Sequence, residues 1–398
     1  MTHVLFIYAD NASEWNCSQW RALGPSNAIN RYGADEGHSA RCLYLSDFVQ
    51  IGHPTIQDVV ARFDLIVVQR NLLSKEIWDA CDYWRALGKV VVADLDDDYP
   101  RLTPQNPAYR FWIGTHAQRF AAASNYTPIE ALTEGLGHVD ALLAPNRELL
   151  ADWEGIVPGI YVPNYAQPEF YSDVAPKPPP ASGEPVVIGW GGSVSHFDSF
   201  AFSGVLEALA RIMARRPEVL LRICGNDYRL RRYLAARLPK GRVEFLDAVA
   251  PQAWPRRVAS FDVGIAPLAG PQAPRSYIYD RRRSHIKALE YILCGVPWVA
   301  AEGPVYADLD GKGGVVLGEE SPGAWEDALE EILADLPAAK GRSLEARSWG
   351  FDNLTLATGW RDYVRVHESL ADALGPVSVG SLPGVQFVLP EEGHGQEA

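Results

Sequence analysis

Methionine and cysteine are scarce in this chain: two Met and five Cys among 398 residues. The cysteines (Cys17, Cys42, Cys81, Cys224 and Cys294) show no C-x-x-C spacing, so no thiolate metal site or dithiol redox centre is written in the sequence. Three of them lie in apolar or helical runs, and all five read as reduced, mostly buried thiols of a cytoplasmic protein. Long hydrophobic runs are missing as well. None approaches the roughly 20 residues that cross a bilayer. The opening "MTHVLFIYAD" has no basic region and no cleavage site, and reads as a first strand rather than a secretion signal. Positive charge is not in excess: 36 Lys and Arg against 50 Asp and Glu leave a net −14. Such a surface has no global attraction for nucleic acid or an anionic membrane, although a local basic patch remains compatible with phosphate. Neither a G-x-G-x-x-G fingerprint nor a Walker loop follows a strand, which disfavours a nicotinamide dehydrogenase.

What is present is hydrophobic residues, at 47%, arranged in alternating strand and helix signals. "HVLFIYAD" (3–10), "ARCLYLSD" (40–47), "DLIVVQRN" (64–71), "KVVVADLDDD" (89–98) and "VDALLAPN" (139–146) are short β-rich runs. Between two of them, Ile77, Cys81, Trp84 and Leu87 recur at helical spacing. This alternation predicts a parallel sheet with helices on both faces. The stretch "PNYAQPEFYSDVAPKPPPASGEP" then interrupts the pattern, because consecutive prolines continue neither a helix nor a central strand. The pattern resumes with strands near 185–190, 219–226, 242–249, 261–268, 296–302 and 313–318. The expected organisation is an α/β Rossmann-like domain at 1–165, a proline-rich linker at 166–184 and a second doubly wound domain at 185–340. C-terminal helices at 341–374 would pack back toward the first domain, ahead of a tail at 375–398. Ligands of such sheets sit beyond the carboxyl ends of the strands, so the informative residues should follow strands and face a central cleft.

Two segments meet that criterion in the second half. "GWGGSVSHFDSF" (189–200) brings Gly191 and Gly192, which let a ligand approach the backbone, then Ser193 and His196. A two-glycine loop is also an ordinary strand-to-helix turn. "DRRRSHIKALEYILCGVPWVAAE" (280–302) is the stronger signal. Arg283, Ser284 as an expected helix N-cap, and Lys287 would put cations and free N–H groups where a diphosphate can bind. Glu290, three residues after Lys287, would accept hydrogen bonds from the vicinal hydroxyls of a ribose. A solvated basic face with a Lys287–Glu290 surface pair is the alternative reading of the same residues. In the first half, the acidic run Asp94–Asp98 ends a strand. It reads as an acceptor grip through Asp96, Asp97 and Asp98, as a metal site, or as a solvated turn. Arg21, in the loop after the first strand, and His116 are further candidates on that side.

"SHIKALEYILCGVPWVAA" resembles the C-terminal signature of GT-B glycosyltransferases. It is most similar to the retaining family that includes sucrose synthase and lipopolysaccharide and mannan glycosyltransferases. "IGWGGSVSHFD" and "FDVGIAPL" are similar to a bacterial and phage-type branch of these enzymes. "CSQWRALGPSNAI", "VVQRN", "VVVADLDDDY" and "DALLAPNRELLADW" extend the likeness over the first half. The resemblance implies a GT-B fold and transfer of a hexosyl or related sugar from a nucleotide diphosphate sugar to an acceptor hydroxyl, with retention. It implies phosphate binding and charge stabilisation by Arg283 and Lys287, ribose binding by Glu290, and no required cofactor or metal. Most of that family carry an acid eight residues before the ribose-binding glutamate. Here Arg282 stands there, so the contact to the donor sugar does not carry over. The acceptor class (glycan, glycolipid, protein or modified base), the donor base and the oligomeric state stay open. So do a sugar-nucleotide epimerase, a non-catalytic sugar-nucleotide or glycan-binding protein, and a phage-type DNA-base glycosyltransferase.

Overall fold

The computed structural model describes residues 1–10, 16–102, 109, 126–319, 321–374 and 387–388. They form two compact units. One is drawn from Met1–Pro100, Tyr109–Tyr165 and Leu356–Ala398, the other from Arg101–Ala108 and Ala166–Thr355.

The first unit is built on six parallel strands: β1 (His3–Tyr8), β2 (Ser39–Tyr44), β3 (Leu65–Gln69), β4 (Val90–Asp94), β5 (Ala141–Ala144) and β6 (Gly159–Tyr161). They lie side by side in the order β6-β5-β4-β3-β1-β2, and a two-residue strand, Phe387–Val388, runs antiparallel along β6. The central strands are apolar on both faces, as covered parallel strands must be; every residue of β3 and of β5 is buried. The chain runs outward from β1 to β2 and then crosses back to β3, so the switch point of this sheet lies between β1 and β3. Trp360, Tyr363, Val364 and Val366 of the helix Leu356–Leu374 complete the core against Val4, Phe6, Val67 and Val92.

The second unit carries β7 (Val186–Gly191), β8 (Val219–Cys224), β9 (Val243–Leu246), β10 (Val263–Ala266), β11 (Trp298–Ala300) and β12 (Gly314–Val316). All are parallel, in the order β12-β11-β10-β7-β8-β9, with the switch point between β7 and β10. Together the two sheets give the two-fold repeat of a doubly wound α/β architecture.

The helices expected at 341–374 are Leu336–Asn353 in the second unit and Leu356–Leu374 in the first, with Leu354 closing the earlier one through its N–H to Gly350 O. Strand β4 stops at Asp94, so Asp96–Asp98 stand in the loop beyond it. The proline-rich stretch expected as a linker at 166–184 falls within the second unit. Proline forbids ladder hydrogen bonds, not packing, and here long cationic side chains supply the bonds. Lys177 Nζ lies 2.6 Å from Oδ2 of the wholly buried Asp262, and Lys340 Nζ lies 3.0 Å from its Oδ1. Arg347 donates to the carbonyls of Tyr171, Val174 and Leu293.

Candidate functional site

The strongest sequence signal falls on the helix Ile286–Cys294, which runs from its start to a left-handed Gly295 at φ 65°. It is preceded by the helix Pro274–Asp280, so Arg281–Ser284 is the bend between two helices. Ser284, expected as the N-cap, stands one residue too early. His285 occupies that position, and no side chain caps the helix. The first N–H groups of the helix are therefore left for another partner. Ala288, Leu289 and Tyr291–Cys294 are buried, and Tyr291 Oη donates to Ile265 O at 2.7 Å, which fixes the helix on β10.

Glu290 sits on this anchored helix with only 5% of its surface exposed. Its Oε1 accepts from Trp254 Nε1 at 2.8 Å and from Tyr171 Oη at 3.4 Å. Its Oε2 accepts nothing from the described residues. Burial pushes this carboxyl up to about 7, against the opposing pull of Lys287 and the two hydrogen bonds. Lys287 Nζ donates to Gly191 O at 2.8 Å and lies 4.9 Å from the centre of the Trp190 ring. Burial pushes its ammonium down to about 8. Gly191 is required for this arrangement, since a Cβ there would stand 2.0 Å from Trp254 Cη2, and Trp254 is what holds Glu290.

Arg283 is oriented by a closed ring of hydrogen bonds. Its Nε donates to Asp280 Oδ1 at 2.7 Å, its Nη1 meets His196 Nε2 at 3.2 Å, and its Nη2 reaches Ser195 O and Oγ. Ser199 Oγ donates to Asp280 Oδ2 at 2.8 Å and lies 3.4 Å from His196 Nδ1. An arginine can only donate, so His196 Nε2 is the acceptor and its proton is on Nδ1, facing Ser199. Burial, then Arg283 and Lys287, hold this imidazole well below its usual range and keep it neutral. Gly192 packs beside Trp190 and His196, where a Cβ would lie 2.5 Å from the indole. Ser193 is exposed on the same loop, its Oγ 3.0 Å from Ser195 Oγ.

Thus Gly191, Gly192, His196, Arg283, Lys287 and Glu290 converge at the carboxyl ends of the second sheet, near its β7/β10 switch point. The assembly offers cations and helix N–H groups to an anion, and one open carboxylate oxygen to hydroxyl groups. The sequence reading missed the residues that hold it: Trp254, Tyr171, Asp280 and Ser199. Asp280 and Ser199 lie inside the two stretches already singled out, at 280–302 and 189–200, whereas Trp254 and Tyr171 carried no signal.

The first unit corrects two expectations. Arg21 is no ligand contact. Its guanidinium is wholly buried, paired with Asp94 at 2.9 Å, and donates to Val162 O, Pro163 O and Asn164 Oδ1. Asp98, expected in the acceptor grip, is fully buried. Asp96 and Asp97 are half-buried; Asp96 Oδ1 accepts from Tyr99 Oη at 2.6 Å, and Asp97 Oδ1 accepts from the N–H of Asp98. His116 lies outside the described residues. Among the described residues no group of three or more His, Cys, Asp or Glu is placed to hold a metal ion. The five cysteines are free thiols, and burial raises those of Cys17, Cys81 and Cys294, away from the thiolate a nucleophile needs.

Comparison with known proteins bears on both units. Residues 185–335 match the family model described as Glycosyl transferases group 1. No curated protein matches the chain. Among solved structures, HepE from Anabaena in complex with UDP and glucose superposes with a TM-score of 0.59 at 14% identity, covering 93% of this chain and 100% of that one. Sucrose-phosphate synthase from Thermosynechococcus elongatus gives 0.60 at 12% identity, covering 94% and 100%. An α,α-trehalose 6-phosphate synthase from Burkholderia multivorans gives 0.56 at 12%, covering 94% and 97%. The fold is that of GT-B glycosyltransferases, and the second unit carries a group 1 glycosyltransferase domain.

Proposed function

We propose that the protein transfers a hexosyl or related sugar from a UDP-sugar to an acceptor hydroxyl with retention, and that its second unit holds the donor. The observation that carries this reading is the half-committed carboxylate of Glu290. One oxygen is fixed by Trp254 and Tyr171, and the other is left for a ribose hydroxyl. Arg283 and Lys287 lie beside it at the start of the same helix, where a diphosphate gains from both the cations and the N–H groups. The Anabaena protein of the same fold was solved with UDP and with UDP-glucose, which favours UDP as the carrier.

In the proposed reaction the acceptor oxygen bonds to the anomeric carbon on the face that the diphosphate leaves. The bond from that carbon to the phosphate oxygen breaks, and the departing phosphate takes the acceptor proton. The protein supplies position and charge rather than a nucleophile. Arg283, oriented by its hydrogen-bonded ring, and Lys287 meet the charge that grows on the leaving phosphate, so they act most strongly in the transition state. Asp96 and Asp97 serve the acceptor side. We assign no resident cofactor or metal to this reaction, and place it in the cytoplasm. Among the described residues no helix is long and apolar enough to cross a membrane.

Calorimetric titration with UDP tests the reading. A charge-assisted hydrogen bond is worth about 1.5–3 kcal/mol, so Glu290→Ala should weaken UDP binding roughly ten- to a hundredfold. Equal affinity in the two proteins would leave the helix as a plain structural element and remove the main support for a donor site here.

A further inference from the structure

Cations in this protein are matched by carboxylates wherever they are buried. Among the described residues, Arg21, Arg70, Arg283 and Lys340 are the buried ones. They pair with Asp94, Asp10, Asp280 and Asp262. Lys287 is treated differently. It is half-buried on the helix Ile286–Cys294 and makes no ion pair with any described residue. Its ammonium has one hydrogen bond, to Gly191 O at 2.8 Å, and otherwise faces the ring of Trp190, 4.9 Å from the ring centre. An ammonium within about 6 Å of an indole centre is attracted by the negative face of the ring.

Trp190 is well fixed for this task. It is the penultimate residue of β7 and is 1% exposed. Phe200 stands at 90° to the indole with ring centres 5.0 Å apart, and His196 at 79° with centres 5.5 Å apart. The charged groups that act on Lys287 are Glu290 on its own helix, which favours the ammonium, Arg283 in the preceding bend, which opposes it, and Asp280, which favours it. His196 is neutral. A carboxylate in the place of the indole would cancel the charge of Lys287 and compete with any anion for it. A ring face attracts the ammonium and carries no net charge, so the full positive charge stays available. Building on the donor-site reading, we propose that Trp190 is a positioning residue for Lys287: its π face holds the ammonium charged and unpaired at the carboxyl end of β7, ready for the donor diphosphate.

The test replaces Trp190 alone, in the full chain, by mono-, di- and tetrafluorotryptophan. Fluorine drains the negative potential of the ring face and hardly changes its volume, so a space-filling role would leave every readout unmoved. NMR of the lysine Cε carbons, with the Lys287 signal assigned by its loss in Lys287→Arg, follows the ammonium in the ligand-free protein. Its titration midpoint should fall stepwise along the series, by about half to one and a half pH units in all. Calorimetry with UDP-glucose at about pH 7.5 should show affinity falling in the same order, about two- to thirtyfold overall. A midpoint that stays fixed along the series, or an affinity that stays fixed while the midpoint moves, would overturn the proposal. The donor-site reading fails separately: a wild type that binds no UDP-glucose refutes it whatever the midpoint does. Normal binding with both readouts flat across the series refutes the role of Trp190 alone.

Discussion

Titrating UDP-glucose into the protein between about pH 6 and pH 9.5 reads the charge states of Glu290 and Lys287. On the proposed reading, ribose hydroxyls bond most strongly to an ionised Glu290, and the diphosphate is bound most strongly by a protonated Lys287. Glu290 is pushed up to about 7 and Lys287 down to about 8, burial being the first cause of each. Affinity should therefore rise with pH through the first value and fall through the second. Binding should then be strongest between the two limits and weaken toward pH 6 and toward pH 9.5, by at most about tenfold per pH unit on either side, the slope of a single titrating group. UDP-glucose is the better ligand for this titration, because the terminal phosphate of free UDP itself titrates near pH 6. Glu290→Gln should flatten the acid limb, and Lys287→Arg the alkaline limb. Stability of the ligand-free protein should run the opposite way. A carboxyl raised from 4.5 keeps its proton longer when folded, so stability falls as pH climbs toward 7. A lysine lowered from 10.5 sheds its proton sooner when folded, so stability recovers above 8. A flat binding profile, or one that Glu290→Gln leaves unchanged, would refute the assignment of the open carboxylate oxygen to the ribose.

Three further outcomes are expected. Trp254→Phe removes the indole N–H from Glu290 Oε1 and should cost about 1–3 kcal/mol of stability. It should also move the acid limb of UDP-glucose binding to higher pH, which combined thermal melts and calorimetry would show. Arg21→Leu strands the buried Asp94 carboxylate and should cost about 3–5 kcal/mol; denaturant titration measures this, and a near-neutral result would contradict a structural role for the pair. Replacing Asp96 and Asp97 together by Asn should lower the rate of sugar transfer far more than UDP affinity, and equal losses in both would show that these residues do not serve the acceptor side.

The fold was legible because it rests on local signals. Apolar runs such as "LIVVQ", "VVVAD" and "VVIGWG" became β3, β4 and β7, and their alternation with helices left little choice but parallel sheets. The helix Ile286–Cys294 was legible for the same reason: its cations, glutamate and terminal glycine fall within about a dozen residues. What holds Glu290 was not legible. Trp254 and Tyr171 are 36 and 119 residues away along the chain, and single-sequence periodicity carries no information about such contacts. Arg21 misled because an arginine after a first strand looks like an exposed ligand contact. Only the fold shows Asp94 and three main- and side-chain acceptors closing around it. The packing of the proline-rich stretch was not legible either, since proline reports what backbone hydrogen bonding forbids and says nothing about what side chains will pack against.

That stretch also sets where the second unit can be cut. The recognised domain spans residues 185–335, and a gene fragment trimmed to it would look complete. Yet Tyr171, which donates to Glu290, precedes it, as does Lys177, one of the two cations against buried Asp262. Lys340, the other cation, and Arg347, which bonds to Tyr171 O and Leu293 O, follow it. A trimmed fragment would leave Asp262 with no ammonium beside it and Glu290 with one hydrogen bond fewer. Coding sequence from Ala166 through Asn353 keeps these groups together with the whole of the helix that carries Lys340 and Arg347, so the working boundaries of this half lie well outside residues 185–335.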